Sequence, residues 1–270
     1  MIKDILYELQ NLTYLNWAKT RHSSGTAGTL LKSYDDTGKT KKYYKLSSYD
    51  PVRGIFGHEC INEIIVQRLM DILGFEHLKY KLIHSTVSIN DIEYETYLCE
   101  SEDFKNKDES KLAIEDFYAM EKKPGETPWD FCLRFGWADY IYRMLVIDYL
   151  VLNRDRHGAN IEVLKSRKNK SIRLAPLFDH GLSLVCSCYT LNELESFDVM
   201  SDRKVQCFIA SSSTYDNVKN VPKAFIKSLP LIHEGDREYL LEGLYDILGQ
   251  EYLDKIWEMM WQRSRQLGNI

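Results

Sequence analysis

A polar loop set between an apolar helix and a hairpin restricts the possible folds of this chain more than any other segment. Trp137–Leu152 reads as a long, mostly apolar helix, and Asn153-Arg-Asp155-Arg-His157-Gly-Ala-Asn160 follows it directly. Two β-like runs come next, Asn160–Lys165 and Ile172–Leu177, separated by the polar stretch Ser166–Ser171, and the second leads into Phe178-Asp179-His180-Gly181. A helix this apolar is buried, so the loop behind it opens at the margin of a core. Asp155 and Asn160 then share one loop, and Asp179 returns beside them after the hairpin. Asparagine and aspartate oxygens suit a hard divalent ion such as Mg2+ better than histidine or cysteine would. A further carboxylate can orient an attacking hydroxyl and take its proton, and this combination of groups serves phosphoryl transfer. Asp-x4-Asn alone also reads as a polar loop in which Asp155 caps a turn and Asn160 satisfies backbone. The order helix, Asp-x4-Asn, hairpin, Asp-x-Gly is the informative part.

Upstream, residues 2–11 predict a short amphipathic helix, because Ile2, Ile5, Leu6 and Leu9 recur at helical spacing. A small-residue loop, Ser23-Ser24-Gly25-Thr26-Ala27-Gly28, feeds a predicted hairpin of Thr29–Tyr34 and Lys41–Ser47 around Asp35-Asp36-Thr37-Gly38. Gly57–Leu73 has helical periodicity and stops at Gly74, a residue that tolerates the left-handed end of a helix. Two more strands, Lys79–Ser85 and Ile92–Cys99, join through Asn90-Asp91, and the polar Glu100–Ser110 reads as a connector. Thr127-Pro128 marks a helix start, and further helices are expected near Pro222–Ser228, Asp236–Leu248 and Tyr252–Gln266. The expectation is an α+β chain with a β-rich lobe over residues 1–100, a mostly helical lobe over 101–270, and a cleft between them.

The motifs resemble those of HipA-like bacterial serine/threonine kinases, including the compact CtkA-type members. The resemblance lies in Asn153-Arg-Asp155-Arg-His157-Gly-Ala-Asn160 together with Leu174-Ala-Pro176-Leu-Phe-Asp179. Asp155-Arg-His157-x-x-Asn160 is also similar to the catalytic loop of phosphoinositide lipid kinases. The resemblance implies a bilobal protein-kinase-like fold, with Asp155 as the catalytic carboxylate and Asn160 and Asp179 as magnesium ligands. His157 would either support the attacking group or brace the loop. A fold of this kind also needs a phosphate loop, a strand lysine and a helix glutamate. Ser24, Gly25, Thr26 and Gly28 fit the first, Lys45 in Tyr43-Tyr44-Lys45-Leu46 the second, and Glu63 in Asn62-Glu63-Ile64-Ile65 the third. Lys41, Lys42 and Glu59 are the reserves. The loop is not Gly-x-Gly-x-x-Gly, and His180 stands where eukaryotic protein kinases carry phenylalanine. Tyr97–Glu102 resembles the stretch that binds adenine, which sets Glu100 and Glu102 beside the base. Members of the resembled family can phosphorylate a serine of the phosphate loop, so Ser23 and Ser24 are candidates for autophosphorylation.

Composition narrows the partners. The formal net charge is −5, from 40 acidic and 35 basic residues, so nucleic acid is not the expected main partner. No apolar run reaches the roughly 18 residues that a membrane helix needs, and the N-terminus lacks a secretory cleavage pattern. Cys60, Cys99 and Cys132 sit in apolar patterns, and Cys186-Ser-Cys188 has no second pair at zinc-ligand spacing. A reducing, cytoplasmic setting follows as an expectation. The favoured activity is a serine/threonine protein kinase using ATP and Mg2+ on a protein substrate. A lipid or small-molecule kinase and a non-catalytic nucleotide-binding module are the alternatives.

Overall fold

A computed structural model describes residues 4–18, 30–230 and 232–270. In chain order its first part contains β1 (Ile5–Asn11), β2 (Lys32–Asp35), β3 (Lys42–Lys45), the short pair β4 (Tyr49–Asp50) and β5 (Gly54–Ile55), α1 (Glu59–Leu73), β6 (Tyr80–Ile89) and β7 (Ile92–Glu102). Then come β8 (Glu109–Ala113), α2 (Ile114–Glu121), α3 (Pro128–Arg134), α4 (Ala138–Leu150), β9 (Asp155–Arg156), β10 (Glu162–Ser166) and β11 (Ile172–Leu174). The remainder is α5 (Leu191–Glu195), β12 (Gln206–Cys207), α6 (Thr214–Val218), α7 (Lys223–Ser228), α8 (Asp236–Leu241) and α9 (Gln250–Leu267).

The first part is a sheet in the order β1-β6-β7-β3-β2, with α1 packed against it. Asn90 and Asp91 both take positive φ, 53° and 64°, which lets the β6–β7 hairpin turn tightly with the twist of its strands. In α1 the apolar residues Cys60, Ile61, Ile64, Ile65 and Leu69 are buried, and the helix ends at Gly74 with φ 67°. In the second part α4 buries Ile141, Met144, Leu145 and Ile147, while β10 is paired between β8 and β11. One continuous apolar cluster joins α1 to α4 and α9, and a smaller one containing Leu46, Ile83, Val87 and Leu98 fills another side of the sheet.

The α+β, two-lobed layout expected from the sequence is the one observed, with one correction in the first strand. Residues 5–11 form a strand, not a helix: β1 runs parallel to β6 with Ile5 opposite Leu82 and Asn11 opposite Thr86. Only Ile5 of its apolar residues is buried, while Leu6 and Leu9 are 39% and 48% exposed, so no apolar helical stripe faces the core. The expected lobe boundary after residue 100 falls inside β7. The chain leaves the sheet after Glu102, and β8 belongs to the β10 side. Among the described residues no helix is long and apolar enough to cross a membrane.

Candidate active site

Strand alternation sets the first wall of the cleft. In the β3–β7 register Tyr43 lies opposite Ser101 and Lys45 opposite Cys99, and all four line one cavity. Lys45 is 8% exposed, and its Nζ donates to Glu63 Oε1 of α1 and to Asp179 Oδ1, each at 2.6 Å. Glu63 also accepts from the backbone N–H groups of His180 (2.9 Å) and Gly181 (3.0 Å), which ties α1 to the segment that carries Asp179. Burial works against a charged Lys45, but Asp179 and Glu63 outweigh it and raise its pKa. At Asp179 burial pushes up, yet Lys45 and then Lys32, 3.7 Å from Oδ2, hold the carboxyl well below the usual range. Asp179 has φ 57°, uncommon for a residue with a Cβ, and its N–H donates to the Tyr80 hydroxyl at 3.3 Å.

The opposite wall hangs on Arg156. This fully buried guanidinium grips Asp148 of α4 through Nε (3.0 Å) and Nη2 (2.8 Å). Its Nη1 donates to the carbonyls of Asn160 (3.1 Å) and Phe178 (3.0 Å), and Nη2 also meets His180 Nε2 at 2.8 Å. Burial, and then Arg156 itself, pushes the His180 pKa far down, so the ring is neutral and Nε2 accepts. One side chain thereby fixes the loop of Asp155 and Asn160 relative to the segment of Asp179. Asn153 adds a brace, donating to Asp148 (2.8 Å) and accepting from the N–H of Asp155 (3.2 Å). Asn160 donates its amide to the Asp155 carbonyl at 2.7 Å, which leaves its side-chain oxygen as the available ligand atom. His157 accepts from the N–H of Ala159 at 3.1 Å through Nδ1 and lies 3.7 Å from Asp155 through Nε2. Burial raises the pKa of Asp155, with His157 opposing and Asp179 adding to the rise.

Between the walls is a cleft of about 290 Å³, lined by Lys45, Asp155, His157, Asn160 and Asp179. Glu102 lines it too. Glu100 does not: its carboxylate is held by Lys42 at 2.9 Å. The reserves drop out on geometry. Lys41 lies over the Tyr34 ring, Lys42 is held by Glu100, and Glu59 is bound to Ser48 through both its N–H and its hydroxyl. Ser23, Ser24, Gly25, Thr26 and Gly28 lie outside the described residues. Sequence reasoning missed Arg156 as the hub, and it missed a cluster at the far end of the cleft comprising Tyr43, Asp103, Phe104, Lys111 and Glu162. Glu162 opens β10 two residues after Asn160, and its place on the cleft wall is shown by the fold rather than by the spacing.

The oxygen set fits a divalent ion. Among the described residues no group of three His, Cys, Asp or Glu side chains is placed to hold a metal. The donors on the cleft wall are the Asn160 amide oxygen and the Asp179 carboxylate, both hard. Mg2+ is commonly held by one or two such groups, with water and substrate phosphates completing the shell.

A sheet bearing Lys45, a helix bearing Glu63 and a helical lobe bearing Asp155 and Asn160 across a cleft make the fold bilobal and protein-kinase-like. No family model matches the sequence, and no curated protein does. Among solved structures the chain is similar to the Helicobacter pylori proinflammatory kinase CtkA, at 16% identity and a TM-score of 0.48, covering 95% of this chain and 98% of that one. It is similar to the Golgi casein kinase with Mn/ADP bound at 16% identity and a TM-score of 0.44, covering 91% and 70%. HipA from Shewanella oneidensis MR-1, in a complex with HipB and operator DNA, gives 14% identity and a TM-score of 0.34, covering 92% and 67%.

Proposed function

We propose that this chain is an ATP-dependent phosphotransferase that transfers the γ-phosphoryl group to a serine or threonine hydroxyl of a protein. The observation that carries the reading is Lys45, buried in the cleft and bonded at 2.6 Å to both Glu63 and Asp179. A buried ammonium held by two carboxylates from separate elements adds little stability by itself; with a divalent ion on Asp179 to offset the second carboxylate, it would meet the phosphate oxygens of a triphosphate.

In this reading Lys45 holds phosphate oxygens, and Glu63 fixes the lysine's position. Asn160 and Asp179 would hold Mg2+, which when bound neutralises charge on the phosphate oxygens. Asp155 orients the acceptor hydroxyl and takes its proton as the hydroxyl oxygen bonds to the γ-phosphorus. The bond from that phosphorus to the β–γ bridging oxygen breaks, and ADP leaves. Burial that raises the Asp155 pKa also makes it a better proton acceptor than an exposed aspartate. The wall opposite Lys45 is rigid because Arg156 and Asp148 are buried together, and such rigidity keeps reacting groups within attacking distance.

The test is transfer from radiolabelled ATP by the wild type and by Asp155→Ala, run on protein, lipid and small-molecule pools. The expected result is label on protein, lost in the variant. Label on lipid or metabolite alone would reassign the acceptor, and binding without any transfer would make the chain a nucleotide-binding module. Autophosphorylation at Ser23 or Ser24 is part of the proposal. Phosphopeptide mapping after incubation with Mg-ATP checks it, and finding neither serine modified would remove it.

A further inference from the structure

Beyond the groups assigned to phosphate and metal, Glu102, Asp103 and Glu162 also line the cleft, and of these Glu162 has a buried oxygen without a hydrogen-bond partner among the described residues. Glu162, on β10, is 9% exposed, and its Oε2 is buried without a hydrogen-bond donor. Its nearest cation is Lys111 Nζ at 3.9 Å, beyond hydrogen-bond reach. Lys111 in turn approaches Asp103 at 3.4 Å, just past the end of β7. The lysine ammonium also lies 4.4 Å from the centre of the Phe104 ring and 5.5 Å from that of Tyr43. Phe104 packs on Phe178 with ring centres 5.7 Å apart. This end of the cleft therefore brings aromatic rings, two of them approached by the Lys111 ammonium, together with the Glu162 carboxylate.

A buried carboxylate oxygen with no donor is unfavourable, commonly by enough to be corrected by water or by a ligand. Burial raises the Glu162 pKa, with Lys111 only partly opposing it. A ligand that brings an N–H to this oxygen relieves the cost of its desolvation. The triphosphate end is defined by Lys45, Asn160 and Asp179, and the aromatic end is where a planar base would lie.

We propose that Glu162 selects the nucleotide by accepting a hydrogen bond from the exocyclic amino group of its purine base. The assignment rests on the phosphotransferase reading and deepens it. Phe104 and Phe178 border the space for the ring, and Glu162 supplies the polar atom that distinguishes an amino-bearing base from one without it. Specificity of this kind is large because a base lacking the donor leaves the acid unpaired again.

The test measures binding of three nucleotides to the full chain: ATP, purine riboside triphosphate, which lacks the amino group, and 2′-deoxy-ATP. The wild type is expected to bind ATP about ten- to a hundredfold more tightly than the purine analogue, the usual effect of a hydrogen bond to a charged group. In Glu162→Leu that ratio falls to about one, while the ratio of ATP to 2′-deoxy-ATP stays as in the wild type. Glu162→Gln keeps the side-chain volume and gives a smaller fall in the same ratio, which serves if the leucine variant does not fold. An unmoved ratio in the variants overturns the role of Glu162, and so does a change confined to the 2′-deoxy nucleotide, which would place the acid on the ribose. A wild type that binds no triphosphate overturns the phosphotransferase reading as well, so the two failures are distinguishable.

Discussion

Asp155 joins two demands that pull against each other. It lies in a cleft that raises its pKa by burial, with His157 opposing, yet the proposed reaction needs it ionised. Replacing it with asparagine keeps the shape and removes the base. Turnover of Asp155→Asn is expected to fall by roughly 10²- to 10⁴-fold with ATP affinity changed little, checked by rate and binding measured on the same preparation. The same shift has a consequence for stability. An acid whose folded pKa lies above its unfolded value binds its proton more tightly when folded, so its ionisation disfavours the fold. That penalty is fully present above the folded pKa and absent below the unfolded one, ordinarily about 3.9. Asp155→Asn is thus expected to melt above the wild type at neutral pH, with the gap closing as pH falls toward 4. A variant that melts lower at every pH would show that the carboxylate braces the loop rather than straining it.

Individual elements differ in how far their own residues determine them. α1 was legible because Cys60, Ile61, Ile64, Ile65 and Leu69 repeat at helical spacing and Gly74 supplies the stop. A Cβ built at Gly74 meets nothing within 4 Å, so Gly74→Ala tests backbone conformation alone. The expected cost is about 1 kcal/mol, read from denaturant midpoints, because φ near 67° disfavours any residue with a side chain. β1 was misread for a reason of the opposite kind. Its apolar spacing fits a helix, but pairing with β6 is a long-range contact that no local pattern encodes, and short apolar runs are ambiguous on periodicity alone. The site followed the same rule. Lys45, Glu63, Asp155, Asn160 and Asp179 stood out as candidates because their chemistry is unusual in that order along the chain. Glu100 was read as the start of an irregular connector, whereas it lies within β7 with its carboxylate held by Lys42. Arg156 and Glu162 were missed because their meaning depends on Asp148, Lys111 and Phe104, partners from distant segments.

For the molecule as a whole, the question is whether the two lobes behave as independent bodies. The main apolar cluster runs without a break from α1 of the sheet lobe into α4 and α9 of the helical lobe. Arg68 of α1 adds a polar bolt across the same divide. It is 2% exposed and donates to both oxygens of Asp4 at 2.9 Å, while its Nη1 reaches the carbonyls of Leu240 (3.1 Å) and Glu242 (2.8 Å) by α8. The Tyr7 hydroxyl of β1 donates to the Gly243 carbonyl at 2.9 Å on the same side. A shared core of this extent predicts one cooperative unfolding transition, with calorimetric and van't Hoff enthalpies in agreement. Arg68→Met removes the guanidinium and leaves Asp4 and the backbone carbonyls of Tyr239, Leu240 and Glu242 without it. The expected loss is about 3–5 kcal/mol, or on the order of 10 °C in melting temperature for a chain of this size. Because the apolar cluster is untouched, that loss appears as one transition moved to lower temperature. If the variant instead unfolds in two separated steps, Arg68 rather than the core is what makes α1 and the helical lobe a single cooperative unit.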